Sequence, residues 1–213
     1  MLAVMPTEPT VTLTATGLAV GIVGAGRIGR AFARRAAASG ISTIIAARRG
    51  PDSLADFARE VGSLVCPAPA TAAVQPEIVL LAVPWPRVVD VLACVSDWEG
   101  RILIDATNPD SADDLARLNG RTSSEHVADL SPGAHVVKAF NTLPPALLAA
   151  DPASRDGRRV VFFSGDHTRA KAEVGRLIAR TGFAGVDLGG LSEGGRLQQS
   201  PGGPLAGLNL LRL

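Results

Sequence analysis

A short apolar run that leads directly into a glycine-rich turn is the feature that most constrains this chain. Ala19–Val23 has the pattern of a buried strand, Gly24-Ala25-Gly26-Arg27-Ile28-Gly29 follows at once, and Arg27–Ser39 has the pattern of a helix that stops before Gly40. In this context the first glycine permits a tight turn, the second admits a pyrophosphate, and the third lets the helix pack close to the strand. The free N–H groups of such a helix bind a diphosphate. The motif therefore predicts a dinucleotide-binding site.

The rest of the chain alternates short apolar runs with amphipathic, helix-like segments. We predict a Rossmann-type, doubly wound α/β fold with a mainly parallel sheet, helices on both faces and no large helical C-terminal domain. Residues 1–17 show no clear period and are interpreted as a flexible leader, with one domain over 18–213. Further strands are predicted at Thr43–Ala47, Ser63–Val65, Ile78–Val83, Arg101–Asp105, His135–Phe140, Val160–Ser164 and Ala184–Leu188, and further helices at Asp52–Val61, Pro86–Trp98 and His167–Thr181.

Composition excludes several classes of protein. The chain has 213 residues, is 46% apolar and carries a net charge of +1, which argues against global disorder and against a nucleic-acid partner. The longest apolar run, Ile78–Val83, is far shorter than the roughly 20 residues that span a bilayer, and no basic region precedes an apolar segment as in a signal peptide. We expect a cytoplasmic protein without a membrane partner, in which Cys66 and Cys94 are buried free thiols.

The residues after the second predicted strand indicate which dinucleotide binds. An NAD-selective chain carries an acidic residue about 20 positions after the glycine motif, where it binds the ribose 2′-hydroxyl. Here Ala47, Arg48 and Arg49 occupy the end of that strand, and no carboxylate is present. A guanidinium binds a 2′-phosphate through two parallel hydrogen bonds. The sequence therefore predicts NADP(H).

The carboxyl ends of the other strands are expected to meet in one cleft, because ligands of open α/β sheets bind there. The residues at these strand ends carry mostly apolar and amide side chains, so they contain no acid–base pair of the kind that carbonyl reduction requires. Hydride transfer between two planar cofactors needs chiefly positioning, and this reaction fits the cleft better. The ends are Val83-Pro84-Trp85, Ala106-Thr107-Asn108-Pro109, Asn141-Thr142-Leu143, Gly165-Asp166 and Gly189-Gly190-Leu191-Ser192.

Several polar residues have structural interpretations. His126, His135 and His167 lack the spacing of metal ligands and are predicted to be surface or core residues, with no metal site. Lys138 is expected to extend its ammonium group out of the sheet, and Asp166 to cap the following helix. Thr122 and Glu125 have the spacing of a capping box.

Together these residues resemble the NADPH-dependent reductases of the deazaflavin coenzyme F420. The resemblance runs from about Leu18 to the end of the chain. Its marks are the glycine motif, Ala46-Ala47-Arg48-Arg49, Val83-Pro84-Trp85, Val137-Lys138-Ala139-Phe140-Asn141-Thr142, Gly165-Asp166 and Asp187-Leu188-Gly189-Gly190-Leu191. The same set is similar to the cytosolic oxidoreductase domain of membrane ferric reductases.

The resemblance implies hydride transfer between nicotinamide C4 and deazaflavin C5. It assigns the 2′-phosphate to Arg48 and Arg49, and the nicotinamide side to Pro84 and Trp85. An acceptor-binding portion at about 135–213 would place Asn141, Thr142 and Leu143 against the deazaflavin, with Ser192 and Arg196 nearby. Arg196 and Arg212 would form a basic rim for the acidic tail of F420.

Two positions depart from the family pattern, and alternatives stay open. Ala25 stands where well-known members have threonine, and Asn141, a possible catalytic residue, stands where they have histidine. A second hypothesis is a reductase of a flavin (FMN or FAD), quinone or other small acceptor, and a third is a non-catalytic NADP(H)-binding module. A homodimer is expected because the leucine-rich tail Leu205–Leu213 must be buried, although it could instead fold back on its own sheet.

Overall fold

The computed structural model of the chain describes residues 19–213, so the predicted leader lies outside the described residues. Its strands are β1 (Ala19–Val23), β2 (Ser42–Ala46), β3 (Val65–Pro67), β4 (Ile78–Leu81), β5 (Ile102–Asp105), β6 (His135–Ala139), β7 (Ala153–Ser154), β8 (Gly157–Gly165), β9 (Ala184–Asp187) and β10 (Leu211–Arg212). Its α-helices are α1 (Arg27–Ala38), α2 (Ala55–Val61), α3 (Ala70–Ala73), α4 (Val88–Leu92), α5 (Ala112–Ala116), α6 (Ser123–Leu130), α7 (Pro145–Ala149), α8 (Thr168–Arg180) and α9 (Glu193–Gln198). Two 3₁₀ turns lie at Pro51–Leu54 and Trp85–Arg87.

The sheet has the order of a doubly wound nucleotide-binding fold. Strands β3, β2, β1, β4, β5 and β6 lie side by side and are all parallel. Strand β8 continues the sheet antiparallel to β6, and β9 pairs in parallel with β8. The short strands β7 and β10 also pair with β8. The predicted fold class is therefore confirmed, with a mainly parallel sheet.

Residues of each strand alternate between two buried faces. On one face Val20, Ile22 and their neighbours pack with Phe32 of α1 and Leu177 of α8. On the other face a second core contains Val79, Leu103 and side chains of α3, α4 and α6. Because both faces are covered, the strands contain continuous apolar runs instead of an apolar–polar alternation. This burial explains why continuous apolar runs in the sequence predict the positions of the strands.

The predicted convergence of all strand ends is wrong for Gly165-Asp166. Because β8 runs antiparallel to β6, Gly165 pairs with Val137 in the interior of β6. The next residue but one, His167, stacks its ring on that of His135, the first residue of β6. The end of β8 therefore lies toward the amino end of the parallel strands. Apolar periodicity identifies a strand without giving its direction.

Other expectations require correction at single residues. The helix predicted over Pro86–Trp98 is instead a 3₁₀ turn followed by the short helix α4, which ends at Leu92. Trp98 lies beyond this helix and is buried. Asp166 does not cap α8; its Oδ1 accepts a hydrogen bond from the Leu191 N–H at 2.9 Å. Cys66 is half-buried and Cys94 is exposed, so the prediction that both are buried is wrong.

The capping box of α6 is confirmed. The Thr122 side chain accepts a hydrogen bond from the Glu125 N–H, and the Glu125 carboxylate accepts one from the Thr122 N–H. This reciprocal pair satisfies two N–H groups that a helix start leaves without partners. The start of α6 is therefore fixed beside the ends of β5 and β6.

The tail after α9 lies partly on the sheet through β10. Leu208, Leu210, Leu211 and Leu213 are nevertheless exposed. Within residues 19–213 no helix combines the length and the apolar character needed to cross a membrane.

The stacked histidines predict a pH-dependent stability. Burial lowers the pKa of His135, and His167 and Arg169 lower it further. The unfolded chain therefore binds a proton on His135 more tightly than the folded protein does. The free energy of unfolding then falls as the pH drops from about the unfolded pKa of 6.5 to the lower folded value. We expect His135→Gln to weaken this dependence in urea unfolding measured at several pH values. An unchanged slope would contradict the assignment.

Candidate active site

The glycine turn between β1 and α1 is shaped by two close backbone contacts. Gly24 has φ +109°, and a Cβ on it would lie 2.3 Å from the Ala82 carbonyl oxygen. A Cβ on Gly29 would lie 1.9 Å from the Gly24 carbonyl oxygen. Neither position accepts a side chain without movement of the backbone. The backbone of Gly24 therefore packs against Ala82, just after β4, and the backbone of Gly29 packs against that of Gly24.

Gly26 differs from these two because the space beside it is open. A Cβ on Gly26 would meet no atom within 4 Å, and both Gly26 and Arg27 are exposed. Gly26 is the N-cap residue of α1, with no side-chain cap and no acidic residue in the first turn. The unpaired N–H groups and the positive end of the helix dipole therefore face space that a diphosphate could occupy. The open space at Gly26 and the free N–H groups at the start of α1 therefore fit a diphosphate.

The end of β2 lies beside this turn. The Gly24 N–H donates to the Ala46 carbonyl oxygen at 3.1 Å, and the Gly50 N–H closes the next turn on the Ala47 oxygen at 3.0 Å. The structure places Arg48 and Arg49 in that turn, and both are exposed. Among residues 19–213, no carboxylate lies within salt-bridge distance of either guanidinium. This charge suits a ribose 2′-phosphate.

The end of β4 carries the next side of the cleft. Val83 and Pro84 lead into the 3₁₀ turn that begins at Trp85, and the Ala82 N–H donates to the Val23 carbonyl oxygen at 2.8 Å. The Trp85 indole is half-buried, and its ring centre lies 5.8 Å from that of His126 on α6. Trp85 therefore lies between the glycine turn and the elements that follow β5.

The ends of β5 and β6 are tied by a reciprocal amide pair. Asn108 Nδ2 donates to the Asn141 main-chain oxygen at 3.0 Å, and Asn141 Nδ2 donates to Asn108 Oδ1 at 2.9 Å. Asn141 Nδ2 also donates to the Gln198 main-chain oxygen at 2.7 Å, which fixes the orientation of the amide. Asn141 Oδ1 is buried without a hydrogen-bond partner among the described residues. Phe140, just before it, has φ +62°, a strained conformation for a bulky residue.

The residues predicted to contact the acceptor are partly buried and partly exposed. Thr142 and Leu143 are buried, and the Thr142 carbonyl oxygen accepts a hydrogen bond from the Gly207 N–H. Ser192 is exposed at the start of α9. Arg196 is exposed and donates to the Gly120 carbonyl oxygen at 2.8 Å. The C-terminal segment thus returns to the carboxyl ends of β5 and β6 through α9, even though β8 and β9 run the other way.

Lys138 and Asp105 form a fully buried ion pair beneath this surface. Lys138 Nζ lies 3.1 Å from Asp105 Oδ2 and also donates to the Thr107 carbonyl oxygen and Ser123 Oγ. Asp105 accepts further hydrogen bonds from Ser124 and from the main chain and side chain of Thr107. Burial by itself would raise the pKa of Asp105, but Lys138 and these hydrogen bonds lower it overall. The expectation that Lys138 leaves the sheet is wrong, because its charge is neutralised inside.

The sequence of this region matches a known family. Residues 19–109 match the family described as NADP oxidoreductase coenzyme F420-dependent. Over these residues the chain is similar to these oxidoreductases. The match covers the glycine turn, Arg48 and Arg49, Trp85 and Asn108, so the predicted resemblance is confirmed over this region.

Solved structures extend the similarity along the chain. A hypothetical protein from Sinorhizobium meliloti is 45% identical, with a TM-score of 0.87, and the alignment covers 94% of this chain and 98% of that one. A protein from Arthrobacter sp., whose proposed assignment is an F420-dependent NADP reductase, is 24% identical with a TM-score of 0.69. That alignment covers 83% of this chain and 86% of that one, and at this identity it shows the fold.

A curated relative is longer than this chain. The metalloreductase STEAP3 of Rattus norvegicus is 32% identical over 183 residues, which is 85% of this chain and 36% of that protein. The chain therefore spans about a third of the length of this relative.

Two features of the site were missed from the sequence. His126 was assigned no role, yet it lies against Trp85. Lys138 and Asp105 were not paired, although they lie directly opposite each other in the β5–β6 register. A buried lysine in one strand and a strand-terminal aspartate in a neighbouring strand give a signal that could have suggested this pair.

Breaking the ion pair should strongly destabilise the protein. Lys138→Met leaves the Asp105 carboxylate buried without its counter-charge, and we expect a loss of about 3–5 kcal/mol in the free energy of unfolding. Lys171→Met, which breaks the more exposed pair with Asp187, should cost less than about 1 kcal/mol. Urea denaturation measures both losses. Equal losses would show that the burial of Asp105 and Lys138 contributes little.

Proposed function

We propose that this chain transfers a hydride between NADP(H) and the deazaflavin coenzyme F420. The observation that carries the proposal is the open glycine turn beside two exposed arginines at the end of β2, within the region that matches the F420-dependent NADP oxidoreductase family. The diphosphate would lie over Gly24–Gly29, and Arg48 and Arg49 would hold the 2′-phosphate. Val83, Pro84 and Trp85 would line the nicotinamide.

The polar side chains near the cleft support a reaction that depends on positioning. Asn108 and Asn141 hold each other, while Lys138 and Asp105 are neutralised below them. When bound, NADPH supplies a hydride from its nicotinamide C4, and a planar acceptor accepts it without a nucleophile or a covalent intermediate on the protein. The protein's contribution is to hold two rings face to face.

The acceptor class comes from the family, and one observation favours a second candidate. Asn141 occupies the position where well-known F420 reductases carry histidine, and this chain is 32% identical to a metalloreductase over 85% of its length. The resemblance of the sequence to the oxidoreductase domain of ferric reductases, which brings NADPH and a flavin together, makes FMN or FAD the alternative acceptor. Arg196 is exposed beside Gly120, where it could contact an acidic tail. Arg212 lies in β10 opposite Arg158, near the start of β8, whereas Gln198 of α9 bonds Ser164 near the end of β8, so Arg212 supports the basic rim less.

The assembly and location of the protein are part of the same proposal. The exposed leucines at 208, 210, 211 and 213 would be covered in a homodimer, and a cytoplasmic location would give access to NADPH.

The 2′-phosphate assignment predicts a selective loss. A charge-assisted hydrogen bond contributes about 1.5–3 kcal/mol, so Arg48→Ala should weaken NADPH binding roughly ten- to a hundredfold and leave NADH binding nearly unchanged. Titration calorimetry with both cofactors measures this difference. Arg158→Ala, an exposed arginine on β8, serves as the control and should change neither affinity. An equal loss for both cofactors would refute the assignment.

The acceptor is tested by following NADPH oxidation with F420, then with FMN or FAD. We expect rapid, saturable turnover with F420. Turnover with flavin alone would support the alternative and refute F420 as acceptor. Tight NADPH binding without turnover of any acceptor would indicate a non-catalytic NADP(H)-binding module.

A further inference from the structure

A groove of about 610 Å³ lies where the start of β8, the start of β9 and the second half of α8 meet. Strands β4, β5 and β6 lie between β8 and β1 in the sheet, so the groove is separate from the glycine turn. Binding sites for small molecules commonly occupy about 300–1,000 Å³. The volume of the groove is therefore sufficient for a small ligand.

One part of the groove is apolar. Phe163 of β8 and Phe183, just before β9, line it, and both side chains are buried. The Phe163 ring lies between α8 and β9, since its Cζ is 3.5 Å from the position of a Cβ on Gly175 and its Cε1 is 3.2 Å from that of a Cβ on Gly185. Ala179 of α8 lines the groove and is exposed. An apolar group of a ligand would bury this surface at a gain in free energy.

The other part of the groove carries two positive charges. Arg158 of β8 and Arg212 of β10 both line it, and they lie directly opposite each other in the antiparallel pairing of these strands. The side chains of such a pair lie on the same face of the sheet, with Cβ atoms about 4.5–5.5 Å apart. Like charges in this position repel each other and destabilise the pairing of the strands.

The described part of the chain does not neutralise this pair. Within residues 19–213 no carboxylate lies within salt-bridge distance of either guanidinium. On its other side Arg158 lies opposite Ala153 of β7, which has no charge. Asp187, at the end of β9, pairs with Lys171 of α8 instead. A bound anion between Arg158 and Arg212 would therefore offset a repulsion that nothing else in this region offsets.

The two parts together define a class of ligand. Guanidinium groups bind carboxylates and phosphates through parallel hydrogen bonds, and two of them can hold one such group. The phenylalanine side of the groove adds an apolar surface next to this charge. A ligand that matches both parts carries an anionic head group on an apolar chain.

We propose that this groove binds a small amphiphilic anion. Its carboxylate or phosphate lies between Arg158 and Arg212, and its apolar chain lies against Phe163 and Phe183. The bound anion would connect β10 to β8 and so hold the tail in place. The proposal assigns Arg212 to this groove instead of to the basic rim expected for F420, and it does not depend on the proposed hydride transfer.

The class of ligand is tested by calorimetry with four probes in the presence of excess NADP⁺, which occupies the proposed diphosphate site. Octanoate and octyl phosphate carry both parts of the predicted ligand, octan-1-ol has the chain without the charge, and acetate has the charge without the chain. At least one octyl anion should bind at least about tenfold more tightly than octanol and acetate, and added salt should weaken its binding. The tighter of the two anions identifies the head group. If neither octyl anion binds, or if octanol binds as tightly, the proposal is wrong.

The head-group site is tested by removing one charge at a time. Arg158→Gln and Arg212→Gln should each weaken binding of the octyl anion at least about fivefold. Arg155→Gln removes an exposed arginine of the turn between β7 and β8, outside the lining, and should keep the native affinity. Because each of the first two variants also removes a repulsion, thermal unfolding without ligand should occur at the native temperature or above it. Native affinity in both Arg158→Gln and Arg212→Gln would overturn the assignment of the head group.

The apolar part is tested by filling the groove. Ala179→Phe places a ring in it from α8, and Ala172→Phe places the same ring seven residues earlier on this helix, at an exposed position outside the lining. Ala179→Phe should weaken binding of the octyl anion at least about tenfold, whereas Ala172→Phe should bind it normally. NADP⁺ affinity should be unchanged in both. Normal binding of the octyl anion by Ala179→Phe would show that the chain does not lie in the groove.

The same variant distinguishes a ligand site from a contact between two copies of the chain. Leu213 lines the groove and is exposed, so a second copy is the competing occupant. A ligand site predicts that the affinity for the octyl anion does not change with protein concentration, and that Ala179→Phe has the native sedimentation coefficient. If the affinity falls as protein concentration rises and Ala179→Phe converts a dimer into a monomer, the groove is an interface between copies and the inference is wrong.

Discussion

The buried ion pair between Asp105 and Lys138 is the interaction on which the arrangement at the carboxyl ends of β5 and β6 depends. A carboxylate and an ammonium removed from water are stable only when their hydrogen-bonding capacity is also satisfied. Here Asp105 accepts bonds from Lys138, Ser124 and Thr107, and Lys138 donates to Thr107 and Ser123 as well. These partners come from the end of β5, from β6 and from the start of α6. The pair therefore sets the positions of three elements at once.

Contacts built on this frame reach the surface of the cleft. The start of α6 carries Thr122, whose hydroxyl donates to the Leu191 carbonyl oxygen and so positions the segment before α9. The Gln199 side chain accepts from the Ser123 N–H, and Gln198 donates to Ser164 and to the Lys138 carbonyl oxygen. These bonds bring α9 over the end of β6. The covering of Asn141 and its neighbours is thus a consequence of the same buried network.

Local chemistry made part of this structure predictable. The β1 strand, the glycine turn and the start of α1 occur where predicted, and Gly29 has its steric reason, the Gly24 carbonyl oxygen, within the same short segment. The Thr122 capping box is likewise a contact between residues close in sequence. Features that depend on distant residues were not predicted. The direction of β8, the loss of the expected Asp166 cap to Leu191, and the burial of Lys138 all depend on partners far away in the chain.

The arrangement around Trp85 shows why a cleft with few free polar groups can still direct a reaction. The glycine turn fixes one side, since Gly24 leaves no room between β1 and β4, and the Asp105–Lys138 network fixes the other through α6. Trp85 and His126 come from the two sides and meet between them. The contact between these two rings therefore depends on the positions of both sides. Precision at this point therefore comes from packing and buried hydrogen bonds far beneath it, and the side chains at the surface need only the correct position.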